Sequence, residues 1–117
     1  MFNIDLQSRI PIYEQVYKKV IELIIKGVLV ENEQLPSVRN LSKELNINPN
    51  TVAKSYQELE RNKIIYSLSG RGSFIAKTNQ LAMKEHILEE FDVCIKGALQ
   101  SGLSRDELKI RIDGVKL

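Results

Sequence analysis

The run Asn48-Pro49-Asn50-Thr51-Val52-Ala53-Lys54-Ser55-Tyr56-Gln57-Glu58-Leu59-Glu60-Arg61 decides how the chain is read. Asn48 makes a good N-cap because its side-chain oxygen can accept from an orphan helical N–H. Pro49 suits the first helical position, where its missing N–H costs nothing. Val52, Tyr56 and Leu59 recur at helical spacing and predict one buried stripe. At about 100° per residue, Asn50, Lys54, Gln57 and Arg61 fall on the opposite face, with Thr51 beside them near the helix start. That outward face offers hydrogen-bonding groups and no large apolar side chain.

The segment just before it has the same character. Pro36 biases Leu35 away from helical dihedrals, and Ser37 then caps a short helix over 38–45 with Val38, Leu41 and Leu45 inward. Arg39 lies in its first turn on the polar side. Asn46-Ile47-Asn48 is too short for anything but a tight corner, in which Asn46 tolerates the left-handed conformation and Ile47 plugs the bend. Two helices joined in this way form a helix-turn-helix.

Further out, residues 3–9 read as an extended lead-in, and Pro11 opens a helix over 12–26. Ile12, Val16, Val20, Leu23 and Ile24 keep its core stripe, widened by Tyr13, Tyr17, Ile21 and Ile25, and Gly27 ends it. Val28 to Pro36 reads as a plain connector. After Asn62 the period shortens. Ile64 to Leu68 and Ser73 to Ala76 are strand-like, and Ser69-Gly70-Arg71-Gly72 supplies the turn, with Arg71 near its tip. Three helices and a two-stranded wing make a winged helix-turn-helix over residues 1–77.

Lys77-Thr78-Asn79 marks a boundary, and 78–117 forms a separate helical segment for dimerisation and regulation. Its first helix runs from Gln80 to about Gln100, with Leu81, Leu88 and Ile95 seven apart and Ile87, Phe91, Cys94, Ala98 and Leu99 beside them. Ser101-Gly102 breaks it. Ser104-Arg105-Asp106-Glu107 is a capping box that opens a last helix bearing Leu108, Ile112 and Val115. Some 40 residues in two helices cannot close a core alone. They are expected to pair with a second copy through Leu81, Ile87, Leu88, Phe91, Ile95, Leu99, Leu108 and Ile112. A homodimer would set two recognition helices about 34 Å apart and so demand a near-palindromic DNA site.

Composition narrows the function class. With 117 residues and net charge +2, overall charge says little, but residues 36–76 carry six basic against three acidic side chains. A modest excess around the opening helix suits a polyanion. The N-terminus has no secretory pattern, and no apolar run approaches the roughly 18 residues that span a bilayer. A cytoplasmic protein is expected. Cys94 is the one cysteine and His86 the one histidine. Flanked by Val93 and Ile95, Cys94 reads as a buried structural thiol, and no nucleophile pair, metal site or cofactor motif can be assembled. No enzyme is expected.

Four ordered motifs also resemble a known family. Pro11-Ile12-Tyr13-Glu14-Gln15, Leu35-Pro36-Ser37-Val38-Arg39, Asn48-Pro49-Asn50-Thr51-Val52 and Gly70-Arg71-Gly72-Ser73-Phe74-Ile75 resemble the DNA-binding domain of GntR-family bacterial transcription regulators. The short helical C-terminus is similar to that of the YtrA subfamily. The resemblance implies that Arg39, Asn50, Thr51 and Gly72 meet double-stranded DNA, with Lys54 the nearest basic residue of the recognition helix. It also implies repression, by analogy of a transporter operon. Pro49 and Ala53 stand where some relatives have arginines.

Chemistry assigns the roles within this set. An Asn amide can read adenine N6 and N7 together, which makes Asn50 the candidate base reader, and Thr51 suits a phosphate or a thymine methyl. Ser37, Arg39, Lys54, Arg71 and Gly72 complete the expected DNA contacts, the cations neutralising phosphates and the wing glycines allowing close backbone approach. Arg39 is a cation at the wrong end of a helix dipole unless an outside anion compensates it. A different class is a winged-helix protein-interaction module that uses the surface from Tyr56 to Arg61. Two helices leave little volume for a small-molecule effector, whose identity stays open and whose place would be the dimer interface.

Overall fold

Pro11 fixes the entry of helix α1 (Ile12–Ile25), which the computed structural model describes together with the rest of residues 2–77 and 80–117. Helices α2 (Val38–Leu45) and α3 (Pro49–Arg61), the hairpin β1 (Ile65–Leu68) and β2 (Gly72–Ile75), and helices α4 (Gln80–Gln100) and α5 (Arg105–Gly114) follow in order. The chain divides into two units between Gln80 and Leu81. The expected boundary residues Thr78 and Asn79 lie outside the described residues, as does Met1.

In the first unit, α3 packs on α1, α2 and β1. Its predicted stripe is the centre of the core: Val52 and Leu59 are fully buried, alongside Val16 and Val20 of α1, Leu41 of α2 and Ile75 of β2. Ser55 is buried too, and its hydroxyl donates to the Tyr13 carbonyl across the α1 to α3 contact at 2.6 Å. A buried hydroxyl without a partner would cost more than the bond itself contributes.

The corner between α2 and α3 forms as its residues dictate. Asn46 sits at φ 55°, and the Ile47 amide donates back to Ser42. Ser37 Oγ accepts from the Asn40 amide at 3.0 Å, and Asn48 Oδ1 accepts from the Asn50 amide at 2.8 Å. In the wing, Leu68 pairs with Gly72 and Ile65 with Ile75. The expected strands began at Ile64 and ended at Ala76. These two still bond, Ala76 N–H to Ile64 carbonyl at 3.0 Å, so the pairing runs one step past the strand ends.

Three expectations need correction. Residues 3–9 are not extended throughout: the chain turns from residue 6 on, where Asp5 Oδ1 accepts from the Gln7 amide and Ser8 Oγ from the Ile10 amide, two local turns built by short polar side chains. The Gln15 side chain clasps this segment through the Asp5 amide, the Asp5 carbonyl and the Ile10 carbonyl, each at 2.9 Å. The segment before Pro36 is more than a connector. Asn32 N–H donates to the Ile75 carbonyl, Ile75 N–H to Glu33 and Leu35 N–H to Ser73, and Gln34 bridges Phe74. It lies along β2 as a third, short edge. Cys94 is exposed rather than buried.

In the second unit, α4 spans the predicted residues, and Ser104 caps α5 by accepting from the Glu107 amide at 3.1 Å. The return arm of the expected capping box, from the Glu107 side chain, is not formed. Leu81, Ile87, Leu88 and Phe91 expose between 41 and 75% of their surface, and Ile112 exposes 51%. Ile95, Leu99 and Leu108 are half-buried. No helix among the described residues is long and apolar enough to cross a membrane.

Candidate nucleic-acid interface

Every polar residue expected on the outer face of α3 is found there. Asn50, Lys54 and Gln57 are exposed, and Thr51 is half-buried at the first turn. The capping bond uses only the Asn50 backbone amide, so among the described residues the Asn50 side chain keeps both its donors and its acceptor for an outside partner. Lys54 is less free than its position suggests. Its ammonium lies 3.9 Å from the centre of the Tyr13 ring, a cation–π contact worth about 0.5–1 kcal/mol at an exposed site. A phosphate at contact distance would outbid it. Arg61, exposed on the same face, is paired with Glu58 one turn back.

Neither α2 nor α3 has an acidic residue in its first turn, whereas α1 has Glu14 and α5 has Asp106 and Glu107. The two helices of the helix-turn-helix therefore present their positive dipole ends without internal compensation. Arg39 adds a charge at the first of these ends. It is exposed, and among the described residues its guanidinium has no partner.

Ser37, Arg71 and Gly72 come together, although the first two are 34 positions apart in sequence. They line one open cleft of about 450 Å³, with Gln34 and Leu35 on the α2 side and Leu68, Ser69 and Gly70 on the wing side. Arg71 is exposed at the wing tip, its amide closing the turn on the Leu68 carbonyl at 2.9 Å. Gly70 and Gly72 take φ 75° and 114°, values that disfavour any residue with a Cβ.

Two contributors escape a sequence reading. Gln34 Nε2 donates to the Arg71 carbonyl at 2.7 Å, and Tyr13 holds Lys54. Both act across long sequence separations, where periodicity carries no signal. The rival protein-docking surface is also reduced. Tyr56 is 6% exposed and donates its hydroxyl to the Pro36 carbonyl at 2.7 Å, so burial pushes the phenol well above its ordinary pKa. With Leu59 fully buried as well, only charged or amide side chains remain on that surface.

Comparison with known proteins agrees with this geometry. Residues 12–75 match the family described as bacterial regulatory proteins, gntR family. The chain is 39% identical over 112 residues to the HTH-type transcriptional repressor YtrA of Bacillus subtilis, covering 92% of this chain and 86% of that one. It superposes on YtrA from Sulfolobus acidocaldarius, a GntR-family transcription factor, with TM-score 0.63 and 34% identity over 79% of this chain and 97% of that one. The DNA-binding domain of AraR in complex with operator ORE1 is similar at TM-score 0.55 and 26% identity, over 65% and 95% of the two chains. The chain belongs to the gntR family of bacterial regulatory proteins, in its YtrA-like branch, and is a DNA-binding transcription regulator rather than an enzyme.

Proposed function

We propose that the protein is a dimeric, cytoplasmic repressor that binds a near-palindromic operator through the first turn of α3. The observation that carries this reading is the free Asn50 side chain, exposed at the start of a helix whose opposite face is locked into the core. Asn50 reads an adenine, and Thr51 meets a phosphate or a thymine methyl beside it. Ser37, Arg39, Lys54 and Arg71 grip the backbone, and Gly72 lets the wing approach closely. AraR, a relative through this same domain, is described in complex with operators, which supports the same docking here.

The exposed Leu81, Ile87, Leu88, Phe91 and Ile112 supply a two-fold interface, with Ile95, Leu99 and Leu108 at its margin. This accounts for apolar side chains that would otherwise face water, a pattern that marks association surfaces. Kinship with the YtrA repressor supports repression as the sign of control, and the subfamily resemblance supports a transporter operon as the target.

Titration of duplex DNA against salt tests the grip. Each phosphate neutralised adds about 0.9 to the slope of log K against log salt. Arg39→Ala and Arg71→Ala are each expected to lower that slope by about 1 and to weaken all sequences alike. A slope near zero for the wild-type chain rejects DNA binding by phosphate contacts.

A further inference from the structure

The wing tip hangs on one side chain. Ser69, Gly70 and Arg71 are exposed, and among the described residues the Gln34 carboxamide makes the single side-chain bond to this loop, Nε2 to the Arg71 carbonyl at 2.7 Å. The same nitrogen would lie 2.9 Å from a Cβ placed on Gly72, closer than real Cβ contacts, and Gly72 stands at φ 114°. Gln34 and Gly72 therefore fit only as a pair: the missing side chain at 72 makes the space in which the Gln34 amide reaches the loop. Gln34 is itself anchored. Its own bridge to Phe74, and the Leu35 amide on the Ser73 carbonyl, fix the short edge strand against β2. Two residues further on, Pro36 and Ser37 lead into α2, where Ser37 and Arg71 line opposite sides of the same cleft.

From this geometry we propose that Gln34 is a positioning residue for DNA binding. It holds the Arg71-Gly72 turn at a set distance from the start of α2, so that wing and helix engage one stretch of backbone together. The proposal rests on the reading of Arg71 as a phosphate contact. Without the tie, a loop containing two glycines loses its fixed shape and must be ordered anew on each binding event, which lowers affinity without removing any contact to DNA.

Gln34→Met keeps the length of the side chain and removes the donor, so it separates the bond from the bulk. Two measurements on the full chain test the idea. In the free protein, NMR relaxation is expected to show lower backbone order at Gly70, Arg71 and Gly72 in Gln34→Met, with the rest of the winged unit unchanged and the thermal midpoint lowered by only a few degrees, as the loss of one hydrogen bond implies. On a random-sequence duplex, Gln34→Met is expected to weaken binding by about 3- to 10-fold, the worth of one neutral hydrogen bond, and to add nothing in an Arg71→Ala background.

Unchanged order in the loop overturns the proposal. So does an equal loss of affinity in both backgrounds, which would mean that Gln34 touches DNA itself. If Arg71→Ala alone leaves binding unaltered, the assignment of the wing as a DNA contact is what fails, and the relaxation measurement by itself upholds or overturns the tie.

Discussion

Asn50 and Tyr56 are six positions apart on one helix and show how far opposite faces diverge in chemistry. Asn50 spends its amide on the helix cap and keeps its side chain free, so truncating it should leave the fold intact. Asn50→Ala is expected to cost about 1–3 kcal/mol of discrimination at one base pair while non-specific affinity holds, measured on paired duplexes differing at that position. Tyr56 is the reverse case. Its phenol is neutral, buried and bonded to Pro36, and the fold raises its pKa above the unfolded value of about 10. The folded state therefore prefers the protonated form: its contribution is fully present below about pH 10 and is lost as pH rises beyond that. Urea midpoints at about pH 9 and pH 11 are expected to fall between the two, and Tyr56→Phe should flatten the decline while costing about 1 kcal/mol for the lost bond.

The elements with strong local rules were legible before the structure. Caps at Ser37 and Asn48, the Asn46 corner and the core stripe of α3 all depend on neighbours within one helical turn and form as read, and Ser104 forms one arm of its capping box. The misread features depend on other distances. Val93 and Ile95 make Cys94 read as buried, but adjacent residues on a helix point about 100° apart, and Val93 is itself 71% exposed. The edge segment at 32–35 and the Gln34 tie carry no local signal because their partners lie some 40 residues on. Of the site, the α3 face and Arg71 could be named from sequence, whereas the Tyr13 ring beneath Lys54 could not. One local feature invites improvement. Lys63, just past α3, takes φ 61° while Ile64 N–H closes on Leu59, a place that glycine usually fills. Relief of left-handed strain predicts that Lys63→Gly stabilises the chain by about 1 kcal/mol in urea unfolding. A loss of stability would contradict that reading.

At the scale of the whole molecule, the proposed function couples a DNA-facing unit to a helical segment whose exposed apolar side chains, on that reading, a second copy would cover. Leu88→Glu with Phe91→Glu places charge on that face, and equilibrium sedimentation at micromolar concentration is expected to find monomers where the wild-type chain sediments as a dimer. The pair should also lose most operator affinity, because two linked half-site contacts become one. Sequencing of genomic fragments retained by the full chain, with Asn50→Ala in parallel, tests the central claim most directly. The account predicts an enriched inverted repeat with half-site centres about one DNA turn, roughly 34 Å, apart, whose enrichment collapses in the variant. Fragments without a shared repeat, or the same repeat recovered equally by Asn50→Ala, would contradict it.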